Sequence, residues 1–123
     1  MAKIIVVDDS PAIRDMVRIM LRDGGHEADA AESAATAFAA LEGNAYDVMI
    51  IDQNMPGLTG IEAAKMIRAN PRYQRMKIVI LSADSRVEHG DDSMVAGADG
   101  YLDKPLTMAK LLDCVKLVLG LKG

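Results

Sequence analysis

A doubly wound α/β fold on a five-stranded parallel sheet is what this chain predicts, and three observations predict it. Short apolar runs of β-like composition alternate with stretches whose apolar residues recur at helical spacing, with no linker or low-complexity break between them. Each strand-plus-helix unit takes roughly twenty to thirty residues, the length a βα crossover needs. Right-handed crossovers then place helices on both faces of one sheet, and the order 2-1-3-4-5 sets strands one and three side by side.

The first strand is expected over residues 3–7. Ser10 and Pro11 follow as an N-cap and a proline at the first helical position. Ile13, Met16, Val17, Met20 and Leu21 give the buried stripe of that helix, and Gly24-Gly25 closes it. Strand two, residues 27–31, is poor in β-branched residues and belongs at an edge. Ser33 caps a second helix that runs through Leu41 and stops at Gly43-Asn44. Strand three, residues 47–51, is almost continuously apolar, which suits the centre of a sheet covered on both faces. A loop over residues 53–59, containing Met55-Pro56-Gly57, leads into a third helix over 60–69, ended by Asn70-Pro71. Strand four is expected at 77–81 and strand five at 100–102. Between them the fourth helix, 86–96, is the weakest, because His89-Gly90-Asp91-Asp92 interrupts it; a short, frayed element is expected. The fifth helix starts after Thr107 and buries Met108, Leu111, Leu112, Val115 and Leu119.

At 123 residues the chain fits one domain with its own core. That core must be aliphatic, since there is one Phe, three Tyr and no Trp, with nine Met as adaptable filler. A net charge of -4 without a basic run argues against direct nucleic-acid binding. The single Cys114 permits no disulfide framework, and no apolar stretch is long enough for membrane insertion or laid out as a signal peptide. A cytoplasmic protein is expected.

The residues that carry chemistry stand at strand ends. Asp8 and Asp9 follow strand one, Asp52 follows strand three, Ser82 follows strand four, and Lys104 follows strand five. In an open α/β sheet the ligand site lies beyond the carboxyl ends of the strands, where the winding reverses. Asp8, Asp9 and Asp52 fall at that point. Two carboxylates about 4 Å apart repel by roughly 4 kcal/mol at an effective dielectric near 20, so the cluster needs cations. Lys104 supplies one. An all-oxygen pocket suits Mg²⁺, with Mn²⁺ as a substitute, and not zinc. Acid, Mg²⁺, lysine and hydroxyl together are equipment for phosphoryl transfer, with Asp52 as the nucleophile.

Four motifs, in order, extend the reading to a family: Val6-Val7-Asp8-Asp9-Ser10, Ile51-Asp52-Gln53-Asn54-Met55-Pro56-Gly57-Leu58-Thr59-Gly60, Leu81-Ser82-Ala83, and Gly97-Ala98-Asp99-Gly100-Tyr101-Leu102-Asp103-Lys104-Pro105. Together they resemble the receiver domains of two-component response regulators, most of all the stand-alone, chemotaxis-type (CheY-like) regulators. The resemblance spans residues 1–123 as a single receiver domain of flavodoxin-like (βα)5 fold. It implies that Asp52 is the phosphoacceptor for a sensor histidine kinase, that Asp9 ligates Mg²⁺ directly and Asp8 through water, and that Asn54 offers its backbone carbonyl. It also implies that Lys104 bonds a phosphoryl oxygen beside a cis peptide to Pro105. Ser82 then bonds the phosphoryl group and Tyr101 turns inward as Ser82 moves. The usual output face of the family is formed by the fourth helix, fifth strand and fifth helix. A protein target or phosphotransfer protein would dock there, and the chain would be a monomer or would dimerise through that face. Its role would be signalling, its catalysis confined to its own phosphorylation and dephosphorylation.

Two positions depart from the common pattern of that family. Ser82 stands where many members have Thr, which removes a stiff, space-filling methyl. Leu106 follows Lys104-Pro105 where Phe is common, which should alter the apolar surface near the output face. His26 and His89 read as exposed bystanders. On the fifth helix Cys114, Leu117 and Leu121 form a second stripe, bordered by Lys110 and Lys116; it is either a wide buried face or a partner surface.

Three rival functions are weaker. A flavodoxin needs a phosphate-cradling loop after strand one, where Asp8-Asp9 would repel a phosphate. A Mg²⁺ phosphohydrolase with an aspartyl nucleophile needs a general acid two residues on, where this chain has Asn54. A phosphorylation-independent interaction module would tolerate loss of Asp52 or Lys104, and both are present.

Overall fold

Every apolar run forms a strand in the computed structural model, which describes residues 2–82 and 97–120. The elements are β1 (Lys3–Val7), α1 (Pro11–Asp23), β2 (Glu27–Ala31), α2 (Ala34–Gly43), β3 (Val48–Asp52), α3 (Gly60–Arg68), a 3-10 turn (Pro71–Tyr73), β4 (Lys77–Ser82), β5 (Gly100–Asp103) and α4 (Met108–Val118). All strand pairs are parallel, in the order β2-β1-β3-β4-β5. The helix expected over 86–96 lies outside the described residues.

Because side chains alternate along a strand, the sheet sorts its apolar residues into two layers. Ile5, Val7, Met49, Ile51, Ile78 and Ile80 face one way and pack with Ala37, Leu41, Ala64 and Ile67 of α2 and α3. Ile4, Val6, Val48, Ile50, Val79 and Leu81 face the other way and pack with Val17 and Leu21 of α1 and Leu111 and Val115 of α4. β3 is buried along its whole length, as a central strand covered on both faces must be.

Helix starts follow local chemistry. The Ser10, Ser33 and Thr107 side chains accept backbone N–H groups at the starts of α1, α2 and α4. At α3, Thr59 and Glu62 form a reciprocal capping box, signalled by the Thr-x-x-Glu spacing that the sequence reading passed over. Arg68, at the end of α3, donates to the carbonyls of Gly97 (2.8 Å) and Tyr73 (3.2 Å) and pairs with Asp99, which fixes the chain just ahead of β5.

Several expectations need correction. Asp52, Ser82 and Asp103 lie inside their strands, in register with Leu81, Asp103 and Ser82 respectively, so the sheet reaches one residue beyond each apolar run. Met108 is 37% exposed, because Leu111 is the first residue of α4 to reach the core. His26 is half-buried and structural: its Nδ1 accepts the Ala2 N–H at 3.0 Å, and burial lowers its pKa. Leu106 is buried in the α1/α4 layer and lines, with Ile13, Met16 and Pro105, an apolar cleft of about 420 Å³. It therefore helps shape the surface beside α1.

Candidate functional site

Backbone bonds that continue the ladder past the strand ends place the site. The Asp8 N–H donates to the Ala31 carbonyl (3.1 Å), the Gln53 N–H to Leu81 (2.8 Å) and the Lys104 N–H to Ser82 (2.7 Å). Pairing of Val7 with Ile51 and of Asp52 with Leu81 then brings the ends of β1, β3 and β4 to one level. The Lys104–Pro105 peptide is cis.

Asp8, Asp9 and Asp52 converge, each offering one carboxylate oxygen within 4.8 Å of the others. Asp8 (0% exposed), Asp52 (2%) and Ser82 (1%) are buried, and Asp9 is exposed. The Lys104 Nζ lies 3.3 Å from Asp52 Oδ1 and 3.5 Å from Asp8 Oδ2. These are ion pairs without hydrogen-bond geometry, so both oxygens remain buried with no hydrogen-bond partner. The other Asp8 oxygen is satisfied, accepting the Ser10 N–H at 2.9 Å. Burial raises the pKa of Asp52, and the neighbouring Asp8 carboxylate pushes the same way; the Lys104 ammonium and the Asn54 backbone N–H oppose them.

One ammonium facing three acids leaves net negative charge in the pocket, and the two buried carboxylate oxygens beside Lys104 lack a hydrogen bond, so a second cation would offset what the lysine does not. The donors are all hard oxygens, which fits Mg²⁺ and similar ions. The residues present therefore fit the ion that the sequence implies.

The loop after Asp52 is tied down. Met55 is buried in the α2/α3 layer, and Gln53 Oε1 accepts the Ile61 N–H (2.8 Å) at the start of α3. A Cβ on Gly60 would stand 2.8 Å from the Asp52 carbonyl oxygen, so only glycine permits α3 to start so close to the site. Sequence reasoning did not single out Gln53 or Gly60 as site residues. It also missed Arg14, whose Nη1 donates to the Asp8 carbonyl at 2.8 Å. The five-residue spacing from Asp9 to Arg14, one turn into α1, was the available signal.

The other expected residues spread out. Tyr101 is half-buried and packs on the α2/α3 layer. Cys114 is half-buried, its Sγ 3.2 Å from where a Gly100 Cβ would stand, and burial raises its pKa. Leu117, on the same helix, is 77% exposed and lines with Cys114 and Tyr101 one groove between β5 and α4; Leu121 is outside the described residues.

With three strand-end acids and a lysine in one pocket of a 2-1-3-4-5 sheet, the fold and site define a class. The chain belongs to the response regulator receiver domain family, which it matches over residues 4–116. It is similar to chemotaxis protein CheY-3 of Vibrio cholerae, 34% identical over 110 residues that cover 89% of this chain and 85% of that protein. Among solved structures it is similar to the chemotaxis response regulator CheY4 of Vibrio cholerae, with a TM-score of 0.90, 36% identity, and coverage of 96% of this chain and 98% of that one. The receiver domain of a Pseudomonas aeruginosa sensor histidine kinase shares 28% identity at a TM-score of 0.86, covering 97% and 98% of the two chains. That structure has magnesium coordinated in its active-site cleft. The chain is thus a CheY-like receiver, a signalling protein of the two-component type. No helix among the described residues is long and apolar enough to cross a membrane.

Proposed function

We propose that Asp52 accepts a phosphoryl group from a sensor histidine kinase and that residues 1–123 act as one receiver unit. The observation that carries this is Asp52 Oδ1: buried at the end of the central strand, without a hydrogen-bond partner, 3.3 Å from the Lys104 ammonium. In the transfer this oxygen bonds to phosphorus as the bond from phosphorus to the donor imidazole nitrogen breaks, and the departing nitrogen keeps the bonding pair. Asp8, Asp9, Asp52 and the Asn54 carbonyl hold Mg²⁺. When bound, the ion offsets negative charge on the transferring phosphoryl oxygens.

The chain's own residues do the rest. Lys104, now between two carboxylates, turns to a phosphoryl oxygen. Ser82, buried on the neighbouring strand, hydrogen-bonds another, and Tyr101 closes inward behind it. The altered surface beside β5 and α4 then meets a protein target or a phosphotransfer protein. Chemotaxis is the pathway favoured by the likeness to CheY-3 and CheY4.

Intact mass after incubation with acetyl phosphate tests the reading. One added phosphoryl group, dependent on Mg²⁺ and absent in Asp52→Ala, is expected. No added mass in a folded protein would leave a phosphorylation-independent interaction module.

A further inference from the structure

Asp8 is held at three points and Asp9 at none of them, yet Asp9 is the exposed acid that must reach a solvated ion. Asp8 donates its N–H to Ala31, receives the Ser10 N–H on Oδ1, and receives the Arg14 guanidinium on its carbonyl oxygen. The last bond acts on the peptide that joins Asp8 to Asp9. Fixing that peptide plane sets ψ of Asp8 and φ of Asp9, and so the direction in which the Asp9 side chain leaves the backbone. The Ser10 N–H holds the Asp8 carboxylate through Oδ1, and its Oδ2, 3.5 Å from the Lys104 ammonium, has no hydrogen-bond partner.

We propose that Arg14 is a positioning residue for the acidic pair, acting through the Asp8–Asp9 peptide to pre-form the divalent-cation site. The proposal rests on the reading of the pocket given above. Charge alone predicts the opposite sign: a cation beside the pocket should repel Mg²⁺, and its removal should tighten binding. Arg22 provides the control, because it makes the same kind of bond two turns away, donating to the Ala28 carbonyl at 3.1 Å.

Mg²⁺ titration by calorimetry, paired with acetyl phosphate phosphorylation across a Mg²⁺ series, separates the possibilities. Arg14→Met is expected to weaken Mg²⁺ binding about tenfold, the scale seen when a residue that orients metal ligands is lost. Its phosphorylation rate should return to the native value at saturating Mg²⁺. Arg14→Lys, which can still donate to the carbonyl, should recover most of the affinity and keeps the test decisive if Arg14→Met folds poorly. Arg22→Met should bind Mg²⁺ as the native chain does. Unchanged or tighter binding in Arg14→Met, equal weakening in Arg22→Met, or a rate deficit that persists at saturating Mg²⁺ would each overturn the proposal. If the native chain itself bound no Mg²⁺, the reading of the pocket would fall with it.

Discussion

The two halves of the sheet's carboxyl edge are built differently. On the β1/β3 half every residue from Ile4 to Asp8 and from Val48 to Asp52 is buried, and the Ser10 backbone N–H and the Arg14 guanidinium hold Asp8 in place. On the β5/α4 half Tyr101 and Cys114 are half-buried, Leu117 stands in water, and a groove of about 430 Å³ runs between strand and helix. The first half holds chemistry that tolerates no displacement. The second offers a half-open surface of partly buried and exposed side chains.

Cutting into the rigid half should cost most. Ile50 is fully buried at the centre of β3, so Ile50→Ala should lose about 2–5 kcal/mol and lower the melting temperature by roughly 10 °C or more. A loss below about 1 kcal/mol in a denaturation series would mean that the acid side is not the stiffer one.

Next in size is the electrostatic strain that this rigidity holds in place. Burial raises the Asp52 pKa above its unfolded value, so Asp52 contributes stability that is complete below the ordinary carboxylate range and is lost as pH rises through the raised pKa. Without Mg²⁺, the native protein should become less stable as pH climbs from the acid side of that window to neutrality. Asp52→Asn should flatten the dependence and raise the neutral melting temperature by a few degrees, on the scale of about 1 kcal/mol. An equal or lower melting temperature in the metal-free mutant would show that the three acids are not under mutual strain.

The smallest effect belongs to the open half. Leu117→Glu should change stability by less than about 0.5 kcal/mol and leave phosphorylation by acetyl phosphate in place. A large loss of stability would return Leu117 to the core and erase the contrast.

The same contrast explains what the sequence could reveal. Strands β1, β3 and β4 are legible because fully buried strands must be apolar throughout, and the acids are legible because charge directly after such a run is unusual. The strand limits were missed because Asp52, Ser82 and Asp103 keep backbone pairing while their side chains are polar, and hydropathy does not report hydrogen bonds. His26 looked like an exposed bystander because its acceptor role depends on Ala2, 24 positions away. Arg14 was hidden for a similar reason: its partner is a backbone carbonyl, so its spacing from Asp9 alone does not show the bond. Spacing placed Cys114 and Leu117 on one side of α4 but not at different depths, because it gives the angle around a helix and not how far the sheet beneath extends.

The most direct measurement of the central claim is the position of the phosphoryl group. Reduction of the phosphorylated protein with borohydride converts an aspartyl phosphate to homoserine, which peptide sequencing by mass spectrometry can locate. Homoserine at position 52 alone is the predicted result. Homoserine at position 8 or 9, or a stable phosphate on Ser82 in place of any homoserine, would contradict it.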